Sequence, residues 1–188
     1  MIKTTLSLVL VLMVMAGCQS GPRQESQEPA EEINSREVFL TSLHQLCDKT
    51  LQGEVIADHF QPAATGDPVS FSFTACKDQE IRINTALPIG EEFTIVLTLV
   101  GEELLLKHDI RNADFSPHNL TMYGGFALEE DTHETMLFPV HNFGGQMWEG
   151  YEDYSWRIRF SPDDALFEYT EMKGEVIKRH FRAIIKNS

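Results

Sequence analysis

From Gly53 onward the chain alternates apolar and polar residues in short runs, interrupted by Gly, Pro, Asp and Asn. A period of two means that every second side chain shares a face, so each run predicts an antiparallel strand with one buried side. The clearest alternations are Phe71, Phe73, Ala75; then Ile81, Ile83; then Phe93, Ile95, Leu97, Leu99; and Trp156, Ile158, Phe160. Strands are predicted over 54–58, 69–75, 80–84, 93–100, 103–110, 120–128, 134–139, 154–160, 165–171 and 175–185. So many strands in about 130 residues suit a closed barrel or a two-sheet sandwich. Closure removes the exposed strand edges that invite aggregation, so the expected fold is mainly β, an antiparallel lipocalin-like β-barrel, with a β-sandwich as the alternative. Upstream, Phe39, Leu43 and Leu46 recur at helical spacing behind a capping pair, Asn34 and Glu37. This predicts one N-terminal helix over 35–48, plugging or flanking the barrel.

The N-terminus follows a different pattern. Lys3 precedes an apolar run over 6–15, then come the small residues Ala16 and Gly17. A span needs about 20 apolar residues, so the run reads as an export signal and not as a membrane helix. The stretch Met13-Val14-Met15-Ala16-Gly17-Cys18-Gln19 resembles the lipobox of bacterial lipoproteins, although Met15 stands where Leu is usual. The resemblance implies diacylglyceryl transfer to the Cys18 thiol, cleavage before it, and acylation of the new N-terminus. Gln19, where an inner-membrane retention signal would have Asp, implies the periplasmic face of the outer membrane. Acyl burial contributes about 0.8 kcal/mol per CH₂, so Cys18 makes the membrane a partner through its anchor. Residues 19–33 are rich in Gln, Glu, Ser and Pro, too polar to order themselves, and form a tether. The expected layout is a signal over 1–17, acylated cysteine and tether over 18–33, and one β-rich domain over 34–188.

The formal charge is −14, and loss of the signal removes one Lys and makes the chain more acidic still. Nucleic acid and anionic lipid surfaces are therefore poor partners, whereas a cationic protein fits. Exported, with Cys18 committed to lipid, the chain has only Cys47 and Cys76 left, and these are expected to pair as a disulfide. A reactive or metal-binding thiol is the competing reading; it lacks a CxxC motif or a close His.

Along 104–111 the period of two puts Leu104, Leu106, His108 and Ile110 on one side, so His108 is expected inside. In the last strand Ile177, Arg179, Phe181, Ala183 and Ile185 share a face, with Arg179 the odd member. A buried guanidinium needs partners. His108, Arg179 and Tyr169 are candidates to line a cavity and orient a polar or anionic ligand, with Tyr123 and Trp156 as further ligand-binding candidates. Trp148, Tyr151 and Tyr154 join Trp156 as a possible aromatic rim, against the plainer reading that these rings are core. His108, Asp109, Asp114 and His141 are the weak metal candidates, with His118 and His133 nearby, but no HExxH or comparable spacing supports them. GxSxG, GxGxxG and P-loop patterns are absent, so no catalytic residue and no cofactor is indicated. The glycine pairs in Tyr123-Gly124-Gly125 and Phe143-Gly144-Gly145 point to a turn, a bulge or close backbone approach.

The run Leu106-Lys107-His108-Asp109-Ile110-Arg111, followed by Asp114, Thr121-Met122-Tyr123-Gly124-Gly125 and Phe138-Pro139, resembles a family of uncharacterised exported bacterial proteins. The resemblance extends loosely from Gly53 to the last strand and implies no established activity. The family pattern has His at the positions of Ile110 and Asn112, Gly at Phe115 and Asp at His141, so any site built from those residues in relatives is altered here. The expected function is a non-enzymatic, envelope-anchored module that binds a small ligand or an envelope component. An acidic protein-binding module, such as an inhibitor of a cationic hydrolase, is the alternative, and a metal-dependent enzyme the third.

Overall fold

Asn34 opens the fold in an extended conformation, its Oδ1 accepting the N–H groups of Arg36 and Glu37, and this cap starts helix α1 (Ser35–Leu43). The computed structural model describes residues 34–87, 90–128, 132–141 and 150–185. The expected signal, Cys18, the tether, Trp148 and the glycine pair at 144–145 lie outside them. The helix is shorter than the pattern predicted. It tightens into a 3₁₀ turn at His44–Leu46, and Asp48, at φ 62, swings the chain into the first strand. Phe39, Leu40, Leu43 and Leu46 are all buried.

Ten strands follow: β1 (Thr50–Asp58), β2 (Pro68–Lys77), β3 (Glu80–Ala86), β4 (Glu92–Val100), β5 (Glu103–Asp109), β6 (Tyr123–Phe126), β7 (Thr135–Pro139), β8 (Tyr154–Ser161), β9 (Leu166–Lys173) and β10 (Val176–Ile184). They form one sheet in the order β6-β5-β4-β3-β2-β1-β10-β9-β8-β7, antiparallel throughout. Sequence neighbours pair, β1 pairs with β10, and β6 meets β7 through two backbone bonds. His141 N–H donates to the Gly124 carbonyl (2.8 Å) and Leu128 N–H to that of Leu137 (3.1 Å). The result is a nearly closed up-and-down barrel, and the sandwich alternative is excluded because there is a single sheet.

Two boundaries moved for identifiable reasons. β1 begins ahead of Gly53, which the pattern treats as a breaker. A Cβ on Gly53 would lie 2.3 Å from the Arg182 carbonyl, so glycine is there for strand contact. β6 is reduced to Tyr123–Phe126 because the residues before it turn, with Thr121 N–H on the His118 carbonyl and Met122 at φ 61. A register shift between Ile177 and Arg179 turns Ile177 outward, 42% exposed, against the expected shared face.

The barrel is filled. Phe71, Phe73, Trp156, Phe138, Phe160, Phe167 and Phe181 are each essentially inaccessible, and Phe167 meets Phe71 and Phe73 edge to face at 5.0 and 5.5 Å. Helix α1 packs against β4, β5 and β7 and covers one end. Cys47 and Cys76 are bonded, tying the turn after the helix to β2. Closing that loop contributes about 3–4 kcal/mol in the chain-entropy picture. The outer wall carries ion pairs, including Arg159, His180 and Arg182 around Glu168. A lipid-facing barrel would show an apolar band instead. Among the described residues no helix is long and apolar enough to cross a membrane.

Candidate functional site

Opposite the helix, where odd strands end and even strands begin, the interior turns polar; this end is the mouth. Four inward residues form a row across adjacent strands. Trp156 on β8 faces Glu171 on β9, Glu171 faces Arg179 on β10, and Arg179 faces Asp58 on β1. Directly opposed side chains have Cβ atoms about 5 Å apart, so the row is one neighbourhood.

Arg179 is fixed there. Its two terminal nitrogens donate to Glu91 at 2.6 and 3.0 Å, its Nε lies 3.5 Å from Asp58, and its guanidinium covers the Phe60 ring at 5.1 Å. Burial works against the charge, but the Glu91 bond and the charges of Glu91, Glu171 and Asp58 outweigh it, so Arg179 stays ionised. Asp58 is also committed locally, its Oδ1 accepting the N–H groups of Phe60 and Gln61.

Glu171 is different. It is 7% exposed and its carboxyl makes no hydrogen bond among the described residues. Burial pushes its pKa up to about 7, Arg179 pulls it down, and Glu91 and Asp58 push it up further. A largely buried carboxyl held near neutrality beside aromatic rings and other charged groups is a recognised mark of function.

His108, as expected, points inside and is wholly buried. Its Nε2 pairs with the Tyr169 hydroxyl at 2.9 Å, and its ring stacks on Tyr123 (4.6 Å) and contacts Trp156 (5.0 Å) and Phe93 (5.8 Å). Burial lowers its pKa to about 3, the Tyr123 backbone opposing and Arg179 assisting. Trp156 Nε1 and Thr85 Oγ1 are buried without hydrogen-bond partners among the described residues. Above them runs a closed circuit of ring contacts: Tyr154 to Tyr151 (4.6 Å), Tyr151 to Tyr123 (5.7 Å), Tyr123 to Trp156 (5.3 Å) and Trp156 to Tyr154 (6.5 Å). After burial, the Glu171 charge is the leading influence raising the pKa of Tyr123, Tyr151, Tyr154 and Tyr169.

Two opposite pH dependences follow. Glu171, raised from 4.5 to about 7, contributes stability that is complete below 4.5 and is lost as pH rises through 7, about 3 kcal/mol by linkage. His108, lowered from 6.5 to about 3, contributes stability that is complete above 6.5 and is lost as pH falls towards 3, about 5 kcal/mol. Between roughly pH 5 and 6.5 the slopes offset. Urea midpoints are expected to be flat there, to fall below pH 4.5 and to decline from pH 6.5 to 8. Glu171→Gln is expected to remove the alkaline decline and His108→Gln the acid one; unchanged slopes in either variant would refute that assignment.

A concavity lies on the outer wall, a groove of about 640 Å³ between β2 to β5 and the 110–122 connection. Ser70, Ser72, Asn84, Thr94, Asp109 and Arg111 line it, with Phe115, 83% exposed, at its lip. Asp109 here is structural. It accepts bonds from Arg111 at 2.6 Å and Thr121 at 3.2 Å and lies 3.6 Å from Arg82, and the Arg111 bond is the main reason its pKa is lowered.

The ligand-binding candidates His108, Arg179, Tyr169, Tyr123 and Trp156 thus converge at the mouth. The weak metal candidates do not. His108 is inside and Asp109 outside; Asp114 accepts bonds from Ser116, and the His141 ring lies against Phe126. Among the described residues no three His, Cys, Asp or Glu side chains form a metal-holding group. Sequence reasoning missed Glu171, Asp58 and Glu91. Glu171 continues the inward series Phe167, Tyr169 and was readable by period, whereas Glu91, on a connection, carried no signal. Chemically the mouth offers hydrogen-bond donors and acceptors beside aromatic faces, with His108 too depressed and the tyrosines too elevated to exchange protons near neutrality. Comparison with known proteins returned no matching family model, no matching curated protein and no matching solved structure.

Proposed function

We propose that this chain is an envelope-anchored lipoprotein, held through Cys18 at the periplasmic face of the outer membrane, that acts as a non-enzymatic binding module for a small ligand at the barrel mouth. The observation that carries the reading is the gathering of buried polar groups in one place: the Glu171 carboxyl, which makes no hydrogen bond among the described residues, beside Trp156 Nε1, buried without a partner among them. Each such group costs about 1–3 kcal/mol when left unpaired, a cost that a ligand reverses on binding. The filled interior supports a ligand confined to the mouth, in contrast to the deep calyx of a hollow barrel. Arg179 serves as a brace, its two terminal nitrogens bonded to Glu91 and its Nε in an ion pair with Asp58.

Native mass spectrometry of the full-length protein, extracted in detergent without chelators, is expected to show a small adduct that Glu171→Gln and Trp156→Phe both diminish, while Cys18→Ser moves the protein out of the membrane fraction. Bare protein at the calculated mass, with Cys18→Ser still membrane-bound, would overturn the reading. A second reading, docking of a cationic protein such as a hydrolase, is favoured by the −14 charge and by three carboxylates facing one guanidinium at the mouth. It requires binding that weakens steeply with salt.

A further inference from the structure

We infer that the mouth ligand is a small organic cation bearing N–H groups, its ammonium seated against Glu171 beneath the ring circuit of Tyr123, Tyr151, Tyr154 and Trp156. The inference rests on the binding reading above and names the ligand class for that site.

Three observations carry it. First, Glu171 has no hydrogen bond and no close ion pair among the described residues, and Arg179 acts on it only at longer range. Its register neighbour Arg179 is the nearest cation on the row, and that guanidinium is engaged by Glu91 through both terminal nitrogens and by Asp58 through Nε. Glu171 has no ion pair with it. A buried carboxylate in that position is relieved by a proton or by a cation that can donate hydrogen bonds. Second, the sign of the mouth excludes an anion. Asp58, Glu91 and Glu171 outnumber the cations Arg179 and Lys173, and His108 is neutral, so an acidic ligand would meet an excess of negative charge in a region of low dielectric. Third, the walls are π faces, which attract cations by about 0.5–2 kcal/mol each according to desolvation. The protein already uses its aromatic surfaces in this way at the rim. The Lys173 ammonium lies 5.5 Å from the Tyr154 ring centroid while donating to the Gly150 carbonyl, and Arg179 covers Phe60. An ammonium entering against Glu171 repeats that arrangement on the inner side of the circuit. A quaternary ammonium would gain the ring contacts and leave the carboxyl oxygens without donors, so a protonated primary amine is the better fit.

The test uses full-length protein in detergent carrying Trp148→Phe, which leaves Trp156 as the sole tryptophan reporter. The probes are butylamine, tetramethylammonium, butyrate and butanol, read by fluorescence and by melting temperature. Butylamine is expected to give a saturable Trp156 response and a raised melting temperature, with tetramethylammonium at least roughly tenfold weaker and butyrate silent. Glu171→Gln is expected to weaken butylamine by about tenfold or more without loss of fold, and Phe115→Ala, in the outer groove, to leave it unchanged. The groups facing Glu171 are Arg179, Asp58, Glu91, Lys173, His108 and the four tyrosines. His108 and the tyrosines do not change charge near neutrality. Affinity is therefore expected to fall as pH drops through the Glu171 titration, with proton release on binding, and Glu171→Gln to abolish both. Butyrate or butanol binding with a Trp156 response indifferent to Glu171→Gln would overturn the cation assignment while leaving a mouth site. Loss of butylamine binding in Phe115→Ala would move the site outside the barrel. Silence from every probe together with an adduct-free mass would overturn the binding reading itself.

Discussion

Gly125→Ala is expected to open the barrel at its seam and to destabilise the protein by about 3–5 kcal/mol, the range of the most severe single substitutions. A Cβ at this position would lie 1.7 Å from the Pro139 carbonyl oxygen and 2.8 Å from its carbon. Both are backbone atoms of β7, so no side-chain rotation relieves the overlap. Its neighbour Gly124 has the same constraint on the other side, where a Cβ would fall 1.9 Å from the Leu106 carbonyl of β5. The pair lets the short strand β6 lie flush between two strands at once, and the bond from His141 N–H to Gly124 closes the circle. Hydrogen exchange at 123–126 and 136–141 is expected to accelerate before the rest of the barrel, and Tyr123, carried by β6, is expected to leave the mouth. Gly174→Ala, at φ +56 with open space where its Cβ would fall, is the comparison, with an expected loss of about 1 kcal/mol from backbone strain alone. A Gly125→Ala midpoint matching that of Gly174→Ala would show that the seam has slack and that closure does not depend on the glycines.

Arg179→Met carries the second large effect, an expected loss of about 3–5 kcal/mol at pH 8, because removing one partner of a buried charge group leaves the others uncompensated. The Asp58 side chain is fully buried, and Glu91 and Glu171 lie around the same guanidinium. Methionine retains much of the volume, which isolates the electrostatic part from the packing part. With the cation gone Glu171 holds its proton to higher pH, so the deficit relative to wild type is expected to shrink as pH falls from 8 towards 5. Adding Glu171→Gln is expected to recover part of the loss at pH 8, a coupling that urea unfolding of the double-mutant cycle measures. A deficit below about 1 kcal/mol, or one independent of pH, would mean that water already solvates these groups and that Arg179 is not the brace of the mouth.

The local pattern of the chain determined a great deal. Each of the ten predicted strands is present, because alternation every two residues is a property of neighbouring residues and of the side they bury, and it survives whatever the strand pairs with. For the same reason His108 and Arg179 were legible as inward groups, and Cys47 and Cys76 were legible as a disulfide pair. Where a bulge interrupts the period, as between Ile177 and Arg179, the same reasoning misplaced Ile177, since the shift is imposed by the partner strand β9. Tertiary structure alone decided that the sheet closes on itself, because closure depends on Gly124 and Gly125 meeting the carbonyls of Leu106 and Pro139, contacts between segments distant in the chain. It alone decided that Glu91, from a connection without pattern, pins Arg179, and that Glu171 lies beside it without a hydrogen bond among the described residues. Hydrophobic periodicity says which side of a strand is buried; whether a buried charge finds its counter-charge depends on the register between strands, and that is set only when all ten come together around one core.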